Sequence, residues 1–150
     1  MITVKIYSPE EIPDHLLQFA VISAKFEGKW VFCRHKKRNT WEIPGGHREL
    51  GENILHCARR ELYEETGAKV YDLTQACVYS ASDGTGIGYG MFYYANITEF
   101  DPIPKEFEIG EISFWDDCPS DLTYPEIQGF LHQYICSWLT DQPKQGTNKS

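Results

Sequence analysis

Nowhere in these 150 residues do about 18 apolar residues run uninterrupted, the length a helix needs to cross a bilayer. A membrane-spanning helix is therefore excluded. Basic charge is also scarce: 14 Lys plus Arg stand against 22 Asp plus Glu, a formal net charge of −8. Such a balance works against general attraction to nucleic-acid backbones or anionic membranes. A polyanionic ligand then needs local help, from a bound cation or a basic patch. Close cysteine pairs are missing too. Cys33, Cys57, Cys77, Cys118 and Cys136 form an odd, scattered set, which indicates neither a disulfide framework nor a Cys-x-x-Cys metal site. Met1 to Tyr7 lacks a charged stretch followed by an apolar core, so no secretory leader is read there. The expectation is a soluble cytoplasmic protein with reduced, mostly buried thiols. The composition assigns no oligomeric state.

What is present fits one domain, residues 1–140, followed by a polar tail at 141–150. Ala20 to Phe26 and Lys29 to Arg34 are rich in aromatic and β-branched residues around Glu27-Gly28, which predicts a β-hairpin. Trp41 to Ile43 reads as another short strand, stopped by Pro44-Gly45-Gly46. From Asn53 the period becomes helical. Leu55, Ala58 and Leu62 share a face, Asn53 can cap the start and Gly67 suits the end, so a helix is predicted over Ile54 to Thr66. Val70 to Ser80 and Ile87 to Thr98 form a second strand pair around a turn at 82–86, and Glu111 to Asp116 is a further strand. Pro125 to Leu139 carries apolar residues at helical spacing. Strands and helices mix without regular βαβ alternation, which predicts an α+β fold.

On the first helix Glu61, Glu64 and Glu65 stand at i, i+3 and i+4, so three carboxylates crowd beside the apolar stripe and repel. A hard divalent cation removes that repulsion, because Mg²⁺ and Mn²⁺ favour oxygen ligands shared with substrate phosphates. Taken alone, the same residues also suit a solvated face on which Arg60 pairs with Glu64 one turn on. Upstream, however, the loop from Pro44 to Glu52 places glycines immediately before the helix, where backbone groups can approach a metal or phosphate closely.

The whole stretch reads Gly46-x5-Glu52-x7-Arg60-Glu61-Leu62-x-Glu64-Glu65-x-Gly67-Ala68 and resembles the complete signature of the Nudix hydrolase family. A chance match in a chain of this length is on the order of 10⁻⁷ if positions are independent. The resemblance implies a Nudix-type α/β/α sandwich with a mixed sheet and a catalytic loop, helix and loop binding Mg²⁺ or Mn²⁺. It further implies Glu64 and Glu65 as principal metal ligands, Glu61 as a further ligand or the group that activates water, and the Gly46 carbonyl as a backbone ligand. Glu52 becomes a contributor through water, and Arg60 the residue that fixes a neighbouring glutamate. Some relatives carry an extra base before the late strand, for which Glu108 is the candidate here.

The implied reaction cleaves a phosphoanhydride in a nucleoside diphosphate linked to x. The Phe26 to Trp30 hairpin and the Trp41 to Gly46 entry are similar to MutT-like and YtkD-like nucleoside triphosphatases that attack oxidised purine nucleotides. That points to a nucleoside triphosphate such as oxidised dGTP, yielding a nucleoside monophosphate and pyrophosphate. ADP-ribose or dinucleotides are the alternatives, and a non-catalytic nucleotide-binding module or a purely structural metal site are rivals of another kind. His47 stands where several relatives carry lysine and is a candidate for phosphate. Arg34 opens the dense basic run through Arg38, which either gathers phosphates or forms a solvated hairpin end. Trp30, Trp41, Tyr89 and Tyr93 are candidates for base stacking or core.

Overall fold

The structure, a computed structural model, describes residues 1–102 and 109–142. Its chain order is β1 (Thr3–Tyr7), β2 (Leu17–Phe26), β3 (Lys29–His35), β4 (Gly45–His47), α1 (Ile54–Thr66), β5 (Ala68–Ser82), β6 (Ile87–Phe100), β7 (Ile109–Trp115) and α2 (Pro125–Asp141). The predicted hairpin forms at Phe26↔Lys29, with Glu27 at φ 50° and Gly28 at φ 82° supplying the tight connection. Helix α1 has the predicted ends. Asn53 accepts a hydrogen bond from the His56 backbone N–H at 2.8 Å, and Gly67, left-handed at φ 79°, donates its own N–H to the Tyr63 carbonyl.

The strands join one mixed sheet in the order β1-β5-β6-β2-β3-β7, with β4 paired to β2 off that path. Strand β2 runs parallel to β6 and antiparallel to β3 and β4. Because successive strand residues point to opposite faces, the sheet builds two cores. Ala20, Ile22 and Ala24 of β2 and Met91, Tyr93 and Ala95 of β6 meet Ile54, Cys57, Ala58 and Leu62 of α1. On the other face Val21, Trp30, Phe32 and Phe92 meet Leu131 and Ile135 of α2. The result is the expected α/β/α sandwich, and Trp30 and Tyr93 belong to its core rather than to a binding surface.

Two features depart from the sequence reading. Trp41 and Glu42 make only isolated bridges, to Leu122 and Cys33, and the strand lies one step later on the glycines themselves, Gly45–His47. The cause is steric: a Cβ on Gly45 would stand 2.6 Å from the Ala20 carbonyl oxygen and 2.8 Å from Val21 Cα, so only glycine brings β4 this close to β2. Strand β1, before any element read from the sequence, completes the sheet edge against β5, with Thr3↔Ser82 and Tyr7↔Val78 as its end pairs. All five cysteines are free, and Cys33, Cys57 and Cys77 are buried. No helix among the described residues is long and apolar enough to cross a membrane. Of the proposed tail, Asp141 closes α2 and Gln142 follows it, and residues 143–150 lie outside the described residues.

The Gly45 contact gives a direct test. Gly45→Ala presses a methyl group into backbone that cannot rotate away, so it is expected to destabilise by about 1–3 kcal/mol. Gly86→Ala, which meets nothing within 4 Å, serves as the control. Thermal unfolding followed by circular dichroism checks both, and equal melting temperatures for the two variants contradict the pairing.

Candidate active site

Burial of Ile54, Cys57, Ala58 and Leu62 fixes the rotation of α1 and so decides where its glutamates go. Glu61 and Glu65, one turn apart, flank the glycine strand β4. The Gly45 backbone N–H donates to Glu65 Oε1 at 2.8 Å, and the Glu61 carboxylate occupies the space that a side chain on Gly46 would take. The Cys33 thiol donates to Glu65 Oε1 from beneath, at 3.7 Å. The Gly46 carbonyl oxygen, on a strand whose Gly46 pairs with Ala20 of β2, also lies 3.8 Å from the weak S–H donor of Cys57.

Arg60 ties the loop to the helix. Its Nε and Nη2 donate to the two oxygens of Glu52 at 2.7 and 3.0 Å, Nη2 also reaches the His47 carbonyl at 3.0 Å, and Nη1 lies 3.1 Å from Glu61 and 3.3 Å from Glu64. This fork joins the His47 and Glu52 end of the loop to the Glu61 and Glu64 face of the helix. Glu52 has further partners. Its carboxylate also accepts from the Glu49 backbone N–H at 2.9 Å and pairs with His56 Nδ1 at 2.8 Å, which uses both of its oxygens. The Arg60 hydrogen bonds hold it far below the usual glutamate range. In this arrangement Glu52 is a strut between the loop and the helix.

The remaining acids are electrostatically unbalanced. Burial pushes the Glu65 carboxyl up to about 8, against the pull of the Gly45 N–H, and burial likewise raises Glu61. Arg60 is shared among Glu52, Glu61 and Glu64, so it cannot neutralise the group. The buried Glu65, the partly buried Glu61, the more open Glu64 and the Gly46 carbonyl oxygen make an all-oxygen donor set, which suits Mg²⁺ or Mn²⁺. Among the described residues no three acidic, histidine or cysteine side chains already close on one point. An ion held by these donors would take further ligands from water and substrate phosphate.

These donors belong to a cavity of about 820 Å³, large enough for a nucleotide. Gly46, His47, Glu61, Glu64 and Glu65 all line it. His47 packs its ring against Phe19, centroids 4.5 Å apart. Arg34 does not line the cavity: its guanidinium is committed to Glu111 at 2.7 Å and to the Arg38 carbonyl at 2.7 Å. From the same basic run the cavity receives His35 and Arg38 instead. Arg38 pairs with Glu42 at 2.7 Å and lies over the Tyr124 ring, while His35 Nε2 sits 3.6 Å from Glu42 and 3.8 Å from Glu65. Glu108 lies outside the described residues.

Sequence reasoning assigned no role to Glu42, Tyr79 or Gln128, although all three line the cavity. The signal for Glu42 was in view, an acid buried between Trp41 and Ile43 just before the glycines. Tyr79 and Gln128 arrive from β5 and α2, and only the folded sheet brings them to the glutamates.

Known proteins resemble this chain in sequence and in fold. YtkD of Bacillus subtilis, provisionally named an 8-oxo-dGTP diphosphatase, is 29% identical over 110 residues, covering 73% of this chain and 69% of its own. The ADP-ribose pyrophosphatase of the same bacterium is 37% identical over 81 residues, or 51% of this chain and 44% of the relative, so less than half of that enzyme's length is spanned. Among solved structures, the Bacillus subtilis pyrophosphohydrolase BsRppH, in a mutant form, has the same fold, with a TM-score of 0.79 at 22% identity over 93% of this chain and 91% of its own. The family model for the NUDIX domain matches residues 15–121, a span running from the entry to β2 through the glycine loop and α1 to beyond β7, and the chain belongs to the NUDIX family.

Proposed function

We propose that this hydrolase cleaves a phosphoanhydride bond in a nucleoside diphosphate linked to x. A nucleoside triphosphate such as oxidised dGTP, giving a nucleoside monophosphate and pyrophosphate, is the first substrate class. The observation that carries the reading is one nucleotide-sized cavity whose wall combines Glu61, Glu64, Glu65 and the Gly46 backbone with uncharged aromatic surface. Likeness to YtkD supports the triphosphate, and the partial match to an ADP-ribose pyrophosphatase makes ADP-ribose the second arm of the assay. Five free cysteines suit a reducing cytoplasmic compartment.

Glu64, Glu65 and the Gly46 carbonyl are the groups that would hold Mg²⁺ or Mn²⁺. When bound, such an ion supplies neutralisation of phosphate charge and a more acidic water. Glu61, raised in proton affinity by burial, is the further ligand or the acceptor of the proton from the attacking water. Arg60 keeps Glu61 and Glu64 in place through Nη1, and its fork to Glu52 keeps Arg60 itself in place. His47, at the mouth, is a contact for phosphate. Water adds its oxygen to phosphorus as the anhydride P–O bond breaks, and the departing phosphate leaves with the electron pair of that bond.

A panel of nucleoside triphosphates, oxidised dGTP, dinucleotides and ADP-ribose with Mg²⁺ or Mn²⁺, read by phosphate or pyrophosphate release, tests the reading. Glu64→Gln is expected to fold normally and to lose roughly 100-fold or more in kcat/KM, as for removal of a metal ligand. Equal inertness of the wild type and this variant toward every compound sinks the catalytic reading and leaves the binding module. Metal-dependent melting without turnover would indicate a structural ion.

Stability should carry the mark of the Arg60 fork. Glu52 is depressed in the folded state, so its contribution is present above the ordinary glutamate value of 4.5 and is lost as pH falls through and below it. Urea unfolding of wild type and Glu52→Gln at several pH values should therefore show a gap near neutrality that closes in acid. A gap independent of pH would assign Glu52 a packing role only.

A further inference from the structure

Two donor groups on the part of the cavity built by β5, β6 and α2, the Gln128 –NH₂ and the Tyr79 hydroxyl, have no hydrogen-bond partner among the described residues. Gln128, only 8% exposed, accepts the Ile43 backbone N–H on Oε1 at 2.7 Å. Because that neighbour is a donor, the carboxamide orientation is settled and its –NH₂ must point the other way. This nitrogen has no hydrogen-bond partner among the described residues, and it is not among the polar atoms sealed from solvent, so it opens on the cavity that Gln128 lines. The Tyr79 hydroxyl is in the same condition, on a side chain only 5% exposed.

The floor under these groups is built for flat rings. Gly88 and Gly90 point to one face of β6. A Cβ on Gly90 would meet the Tyr79 ring and hydroxyl at 2.6–2.8 Å, and a Cβ on Gly88 would meet the Phe19 ring at 3.1 Å. Tyr79 is the cross-strand partner of Gly90, so its phenol lies across the strand instead of standing off it. Burial pushes the pKa of the phenol above its ordinary value and keeps its proton in place for donation.

We infer that this wall is the base subsite, and that Gln128 with Tyr79 selects bases whose pairing edge carries an exocyclic carbonyl over those that carry an exocyclic amine. The inference rests on the proposed nucleotide substrate. Its chemistry is that of an oriented amide: with Oε1 turned to the Ile43 N–H, the Gln128 carboxamide presents its –NH₂ to the cavity and donates there. Guanine O6 or uracil O4 accepts that hydrogen bond. The amine of adenine or cytosine brings a donor to a donor and leaves both desolvated and unpaired.

Matched pairs keep ring size constant. Calorimetric binding of GTP against ATP and of UTP against CTP, to the full chain with Mg²⁺, is expected to favour the carbonyl base by about tenfold in each pair. Gln128→Glu retains an oxygen for the Ile43 N–H and replaces the donor with an acceptor, so both ratios should fall to one or invert. Tyr79→Phe should weaken GTP several-fold more than ATP. Ratios near one in the wild type, or ratios unchanged in a Gln128→Glu protein of normal melting temperature, overturn the inference. Turnover of the same nucleotides is measured in parallel. Binding ratios as expected without any turnover leave the base subsite standing and remove the hydrolytic reading, and turnover of all four bases alike does the reverse.

Discussion

Everything in this site depends on two residues that have no side chains. Gly45 lets β4 lie against the backbone of Ala20 and Val21, and Gly46 leaves room for the Glu61 carboxylate. With both approaches made, the Gly45 N–H faces Glu65, and the Gly46 carbonyl stands over α1 within reach of Cys57. A bulkier residue at either place separates strand from helix, and the oxygen donors with them. The buried face of α1 supplies the complementary constraint, since Leu62 and Ala58 are fully enclosed and allow the helix one rotation.

Charge follows from that packing. Glu61 and Glu65 are pressed into surroundings that disfavour ionised carboxylates, while the arginine beside them is divided among several acids. The loop is secured by Glu52, whose two oxygens both accept hydrogen bonds, and the acids facing the cavity are left short of positive charge. The division is local in sequence: Glu52 holds, and Glu61, Glu64 and Glu65 remain available.

Local signals were readable and long-range ones were not. Helix α1, its two caps and the Glu27-Gly28 hairpin came from periodicity and turn chemistry, and each depends on neighbours within a few residues. The glycine strand was misplaced because β propensity favours Trp41 and Ile43, whereas the deciding contact is backbone against backbone across the sheet. Arg34 was preferred to Arg38 because spacing alone cannot reveal a bulge. The β3 and β7 register shifts between Arg34 and His35, so Arg34 faces Glu111 and the later residues of the run turn toward the cavity. Gln128 had no motif at all. It matters because an amide 85 positions earlier in the chain fixes which end of its carboxamide remains open.

The parallel pairing of β2 with β6 has a consequence for how the molecule is assembled. The β2–β3 and β5–β6 hairpins close over short stretches of chain, whereas Ala20↔Met91 and Ile22↔Tyr93 must bring together segments on either side of the entire glycine loop and helix. Loop-closure entropy favours the local hairpins first and makes the parallel seam the slow, cooperative step. Until that seam zips, β5 and β6 float free of the helix that bears the acids. Folding and the birth of the binding pocket are in that sense a single event, and a ligand spanning both halves would act as a clamp on the last seam to close.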